Sequence, residues 1–524
     1  MTPSRDLFDL VHSLTSTEKR YVRRTALLSG RQTSWLRLFD AIDAQKSFDD
    51  TALRASLAPD PMLANLAVAK QYAYNAVLRA LQSYGLGRDF DSELGEAIEQ
   101  YKVLVHKGLG AQAARRMREI KRKAIEGDAY LRLFWAIIRE FSVGANSTER
   151  AAMDYLEGFL LEQQWVIRRI ENYSLVAGVY FRQRIILRHR PNARSQVDQR
   201  RLAQLIAPLL ALGDDELLSP TASAFYHLAL GDYWEAIGRP DNARTHFDRF
   251  LEPARLDLHI GVTDTLHLAE FTNALMFRLR HRMTDGLDRC IEALHAKVGR
   301  LDRRGRTMGM QALFYERWLV SAVMLLNVTG RIDEAARLLE RESSRTERLW
   351  SLMSKKMRLQ LLHLTAAVRL VRGEHDVAIE TLNAVLNDSE ASTEEFGTAM
   401  LLALVAHVEA GNTDWLDDAL RSTTRHLSSR DRYHQTERAM ITGLRRVIRA
   451  HDETGRRVAF LALHERLVEL FQDPRERAVS TSIDLLAWTA ARAAGRPFAD
   501  VVRQVGASDY SSTGVSMTTS TVRE

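Results

Sequence analysis

Cysteine is almost missing from this chain: Cys290 is alone among 524 residues. One thiol excludes an intramolecular disulfide and any zinc site built from cysteines, and it suits a reducing compartment. Proline is scarce as well, with 10 residues against the roughly 5% of average usage. Few chain breakers let helices run on without interruption. No long apolar run is present. The most apolar stretches, such as Trp318–Val328, are about half the length of a bilayer span. Asp6 and Asp9 stand where a secretory leader needs an apolar core, so the expectation is a cytoplasmic protein without a membrane segment. The usual signatures of chemistry are missing too: there is no phosphate loop, no HisGluXXHis zinc pair and no GlyXSerXGly elbow. The short glycine pairs at 84–87 and 108–110 follow no strand pattern. The chain is therefore expected to be no enzyme and to use no cofactor or metal.

What is present is helix. Hydrophobic residues make up 46% of the chain and charged residues 27%, an ordinary globular balance that excludes wholesale disorder. Thr15 with Glu18, and Ser392 with Glu395, are spaced as capping boxes. Ser219-Pro220 and Asp473-Pro474 each place a capping residue before a proline at a first helical position. Alternating runs that would argue for strands are scarce. The fold class is all-α.

The most informative stretch is Ala222–Pro253. Leu230, Gly231, Trp234, Gly238, Ala243 and Phe247 read as two helices folded back on each other. Small Gly231 and Ala243 let the backbones approach, Trp234 and Phe247 fill the space beside them, and Gly238 permits the turn. This order of large, small, aromatic, turn, small and aromatic positions resembles the tetratricopeptide repeat, with Pro253 near its closing proline. The grammar recurs with decay. Gly330 is followed by Ala335 and Leu339, Gly373 by Ala378 and Leu382, and Gly108 by Ala113 and Met117. Gly411 is followed by Leu416 and Leu420, and a degenerate pair lies around Thr284–Leu294, with Gly286 and Cys290 in its packing places. The uneven spacing implies a degenerate α-solenoid of antiparallel helix pairs. The opening LeuPheAspLeuValHisSerLeu, TrpLeuArgLeuPheAspAlaIle and the closing AspLeuLeuAlaTrp with GlyArgProPhe resemble a group of bacterial helical-repeat proteins of similar length. That likeness implies architecture and brings no activity with it.

Three regions are expected: an N-terminal helical module or cap over 1–88, repeats over 89–503, and a disordered Ser/Thr-rich tail over 504–524. In the module, helices are expected over 7–14, 16–28, 34–45, 50–57 and 62–84.

Charge is clustered although the net excess is only +6. Between Lys102 and Lys123 stand eight Lys/Arg and one acid, Glu119. Ala113, Met117, Ile120 and Ala124 repeat at helical spacing, which turns Arg115, Arg118, Lys121 and Arg122 outward together. A second tract, Trp165–Arg201, holds nine arginines; Arg168, Arg182, Arg184 and Arg188 interleave with Trp165, Tyr173, Tyr180 and Phe181. A weaker group is Lys19, Arg20, Arg23 and Arg24. Three readings stay open: solvated faces, an electropositive surface for an acidic protein or peptide, and phosphate neutralisation on nucleic acid with rings stacking on bases. His227, in a packing position, and Cys290, on a packing face, are expected to be core residues. By resemblance to the repeat superfamily, the expected function is a protein- or peptide-binding scaffold that uses the concave surface of the stack. The alternative is a nucleic-acid-associated regulator in which helices 50–57 and 62–84 bind DNA, with Lys70, Gln71, Asn75 and Arg79 outward.

Overall fold

The computed structural model describes residues 3–28, 34–84, 90–141, 149–189, 196–251, 264–303, 308–388, 393–429, 435–473, 476 and 482–507. Among them every regular element is a helix and none is a strand. The chain divides into two compact units, Met1–Gly108 and Leu109–Glu524.

The first unit contains α1 (Pro3–Ser13), α2 (Ser16–Leu28), α3 (Ser34–Asp43), α4 (Asp50–Leu57), a 3-10 turn over Pro61–Asn65, α5 (Leu66–Tyr84) and α6 (Phe90–His106). Helices α1, α2 and α3 pack on α5 around Leu7, Val11, Val22, Leu38, Phe39, Ile42 and Val77, all without exposed surface. The capping box forms: the Thr15 N–H donates to Glu18 Oε2 at 2.7 Å, and the Glu18 N–H to Thr15 Oγ1 at 3.3 Å. Two cations of the weaker basic group are paired within the unit. Lys19 pairs with Asp43 at 2.5 Å, and Arg23 with Asp40 and Asp43. Lys70 is buried, its ammonium on Asp50 and 5.5 Å from the Phe48 ring centre. Gln71, Asn75 and Arg79 do face outward.

The second unit runs through α7 (Gly110–Glu126), α8 (Tyr130–Phe141), α9 (Glu149–His189), α10 (Gln196–Leu210), α11 (Pro220–Ala236), α12 (Pro240–Phe250), α13 (Asp264–Arg280), α14 (Leu287–Arg303), α15 (Met308–Val328), α16 (Ile332–Arg341), α17 (Ser343–Leu349), α18 (Lys355–Val371), α19 (His375–Leu386), α20 (Thr393–Glu409), α21 (Thr413–Ser429), α22 (Gln435–Arg449), α23 (Glu453–Leu470), α24 (Leu485–Ala494) and α25 (Phe498–Ala507). Successive helices pack in hairpins, α11 with α12, α18 with α19 and α20 with α21, while α13 touches α15, α15 touches α18 and α18 touches α20.

The turn chemistry follows the glycines. Gly108, Gly238, Gly330, Gly373 and Gly411 all sit at φ between +70° and +81°, the left-handed region that only glycine enters freely. Gly286 joins them at +72°, so it is a turn residue before α14 and not the packing residue expected from sequence. At Gly231 a Cβ would lie 2.7 Å from the Phe247 ring, the close approach that the size order implied. Ser219 caps α11, its Oγ accepting from the Ala222 N–H at 3.0 Å. Pro253, Ser392 and Pro474, which complete three expected signals, lie outside the described residues, as does the chain from 508 onward.

The first helix of several hairpins is buried almost all round. From Thr221 to Tyr233 only Ser223 keeps appreciable exposure, and from Phe314 to Leu325 only Arg317 does. Leu401–Ala406 is buried throughout. Apolar residues on every side mark core helices. Helix α24 contributes to the cover near α20: Trp488, fully buried, donates its Nε1–H to Glu409 at 2.8 Å, and Arg492 bonds the same carboxylate.

Candidate functional site

Helix α7 carries the first basic tract with the expected amphipathicity. Ala113, Met117, Ile120 and Ala124 are buried, and Arg115, Arg118 and Arg122 are exposed. Arg122 pairs with Glu126 at 2.7 Å, one helical turn on. Lys121 differs from expectation. It turns sideways between Glu140 of α8 at 2.5 Å and Glu162 of α9 at 2.6 Å, tying three helices together. Burial works against its charge, but the two carboxylates outweigh it and hold the ammonium above its ordinary pKa. On α8, Leu131 and Trp135 are 65% and 55% exposed, one turn apart. Helices α7 and α8 thus expose arginines and a tryptophan, residue types enriched in interface cores.

The second tract divides. Arg168 and Arg182 are exposed on α9, Arg184 turns into the fold, and the Arg188 side chain lies outside the described residues. Of the interleaved rings, Tyr180 is fully buried and Tyr173 packs edge-on against Phe225. Trp165 carries the Arg169 guanidinium 3.4 Å from its ring centre. Tyr173 and Tyr180 thus belong to a packed face, while Trp165 and Phe181 keep 38% and 40% of their surface exposed, and base stacking requires open rings.

Arg184 leads into a buried ionic network that the sequence did not announce. Its Nη1 lies 3.4 Å from Asp232 Oδ2 on α11, and its Nε lies 3.9 Å from Glu270 Oε1 on α13. Burial disfavours the guanidinium, but Asp232 and Glu270 more than offset it and raise its pKa. Asp232 is pushed up to about 7, chiefly by burial and with help from Glu270, despite Arg184. Burial and the same carboxylates raise the Tyr180 hydroxyl well above its ordinary value. Arg317 of α15 is lowered by burial. One turn along α11, Glu235 shows the opposite result: burial would raise it, but Arg280 at 2.6 Å and His281 at 3.9 Å bring it to about 2. The only sequence signal for this network is a charged residue, such as Asp232 or Glu316, inside an otherwise apolar helix.

The remaining candidates behave as core residues. His227 is buried with Nδ1 3.1 Å from His246 Nδ1. Cys290 is buried, its Sγ 3.5 Å from the Leu251 carbonyl, and burial raises its thiol pKa away from reactivity. Among the described residues no group of three or more His, Cys, Asp or Glu is placed to hold a metal ion, and no helix is long and apolar enough to cross a membrane. Compared with family models, curated proteins and solved structures, the chain matches none.

Proposed function

We propose that the second unit is a tetratricopeptide-like helical stack that serves as a non-enzymatic scaffold for an acidic protein or peptide segment. The observation that carries this reading is the α7–α8 surface. Arg115 and Arg118 project from α7 without an intramolecular ion pair among the described residues, and α8 presents Leu131 and Trp135 to solvent. Desolvating two arginines beside a large ring is a common way to anchor an acidic segment. A stack of this kind is expected to offer its concave surface. Helices α11, α15 and α20 are almost wholly buried and leave little side chain for a partner, which favours the exposed faces of α7 and α8 as the place of contact.

The ionic network around Arg184 supports this assignment by its position. Its perturbed groups are each accounted for by burial and by partners on α9, α11, α13 and α15, as for a link between packed helices. Purification of the tagged protein from its own cells after nuclease treatment tests the class of partner. Stoichiometric protein that survives the nuclease supports the scaffold. Nucleic acid as the sole companion when nuclease is omitted overturns it in favour of the regulator.

A further inference from the structure

Helix α9 has an outward face with an internal order of its own. From Glu157 to Ile185, residues at alternating steps of four and three are exposed, with Gly178 alone among them half-buried. Leu161 and Ile185 are 68% and 65% exposed, and Leu175 is 45% exposed. A four-three spacing averages 3.5 residues per turn, the repeat that keeps one seam facing a partner helix along a left-handed supercoil. Over this stretch, at about 1.5 Å per residue, the seam is roughly 40 Å long.

Charges along the seam alternate: Glu157, Arg168, Glu171, Arg182. None of the four has an ion-pair partner within the chain among the described residues. We infer that α9 is the interface of an isologous homodimer, in which the outward seams of two copies pair antiparallel about a two-fold axis between residues 169 and 170. In that register Arg168 meets Glu171 of the second copy, and Glu157 meets its Arg182. Leu161 packs over the other Gly178, and Gln164 beside the other Leu175. Each layer then joins opposite charges, or an apolar side chain and a small or neutral one. A parallel pairing would set Arg168 on Arg168 and Glu171 on Glu171. Sliding the antiparallel pairing by one heptad in either direction removes both Arg–Glu layers. Self-complementarity about one axis is what a two-fold contact demands, and an unrelated partner would not require it. Asp154 opposite Ile185 is the one mismatched layer, at the end of the seam, where water reaches the carboxylate. The contact uses none of the α7–α8 residues assigned to the acidic partner.

The full chain at micromolar concentration, followed by sedimentation velocity, is expected to have twice the chain mass. Arg182→Glu alone and Glu157→Arg alone each place like charges in two layers and shift the particle to monomer. The double variant Arg182→Glu with Glu157→Arg restores opposite charges and restores the dimer. A wild-type monomer, a dimer that either single variant leaves intact, or a double variant that stays monomeric overturns the assignment. Because these residues are exposed, circular dichroism is expected to be unchanged in all three variants. Leu161→Cys with Gly178→Cys gives a second readout. A Cβ at Gly178 meets only the Arg182 tip, at 3.7 Å. The two new thiols lie far apart on one helix, so copper-phenanthroline oxidation links the copies in the double variant and in neither single-cysteine variant when they pair in this register, whereas a parallel pairing would link the single variants as well. Absence of that product likewise overturns the assignment.

Discussion

Gly231 and Gly373 are both glycines in helical hairpins, yet they fail for different reasons when given a methyl group. At Gly231 a Cβ would press into the Phe247 ring at 2.7 Å, so Gly231→Ala overpacks the hairpin and is expected to cost about 1–3 kcal/mol, even against the better helix propensity of alanine. Gly231→Ala with Phe247→Leu should recover part of it in urea unfolding; an Ala variant as stable as the parent would contradict the packing. At Asp232 the matter is the proton. Its folded pKa of about 7 stands above the ordinary 3.8, so the folded chain keeps a proton that the unfolded chain releases. Stability from this group is full below about 4 and declines as pH rises to about 7. Glu235, depressed to about 2, acts in reverse: its contribution is present above its ordinary 4.5 and is lost as pH falls toward 2. Asp232→Asn keeps an oxygen for Arg184 but has no proton to release, so it removes the decline. The variant's melting temperature should therefore gain on the parent between pH 5 and pH 8, and a constant difference would contradict the assigned cause.

At the scale of the element, hairpin turns were the most legible feature of the sequence. A left-handed residue after a helix has one cheap solution, and glycine supplied it at 238, 330, 373 and 411. The open space around Gly373 isolates that backbone term: nothing lies within 4 Å of a Cβ there. Gly373→Ala should cost about 1–2 kcal/mol by left-handed strain alone, with no rescue from mutating neighbours. Calorimetry checks this. The inward face of α7 was equally readable, because helical period alone sets it. Its lateral residues were not. Lys121 stands within the predicted outward arc, but its four-carbon stem reaches two carboxylates on other helices, and periodicity carries no information about those.

For the molecule as a whole, most of what escaped the sequence lies in contacts between distant residues. Arg282 meets Asp484 at 2.6 Å, and Asn327 donates to the Ser482 carbonyl at 2.8 Å. Asp484 also caps α24 through the Ala487 N–H. Thus one carboxylate starts α24 and fastens it to the turn after α13. Asp484→Ala removes both and should loosen the ends of α13 and α24 together, read as faster amide exchange in both segments. Exchange confined to α24 would contradict the tie. The central claim is that α7 and α8 hold an acidic partner through Arg115, Arg118 and Trp135. The most direct measurement compares nuclease-treated purifications of the parent and of Arg115→Glu with Arg118→Glu, quantifying each co-purified protein by mass spectrometry. The account predicts a stoichiometric companion with the parent that falls at least tenfold with the variant, while the fold is unchanged by circular dichroism. Equal recovery of the same companion with both proteins would contradict it.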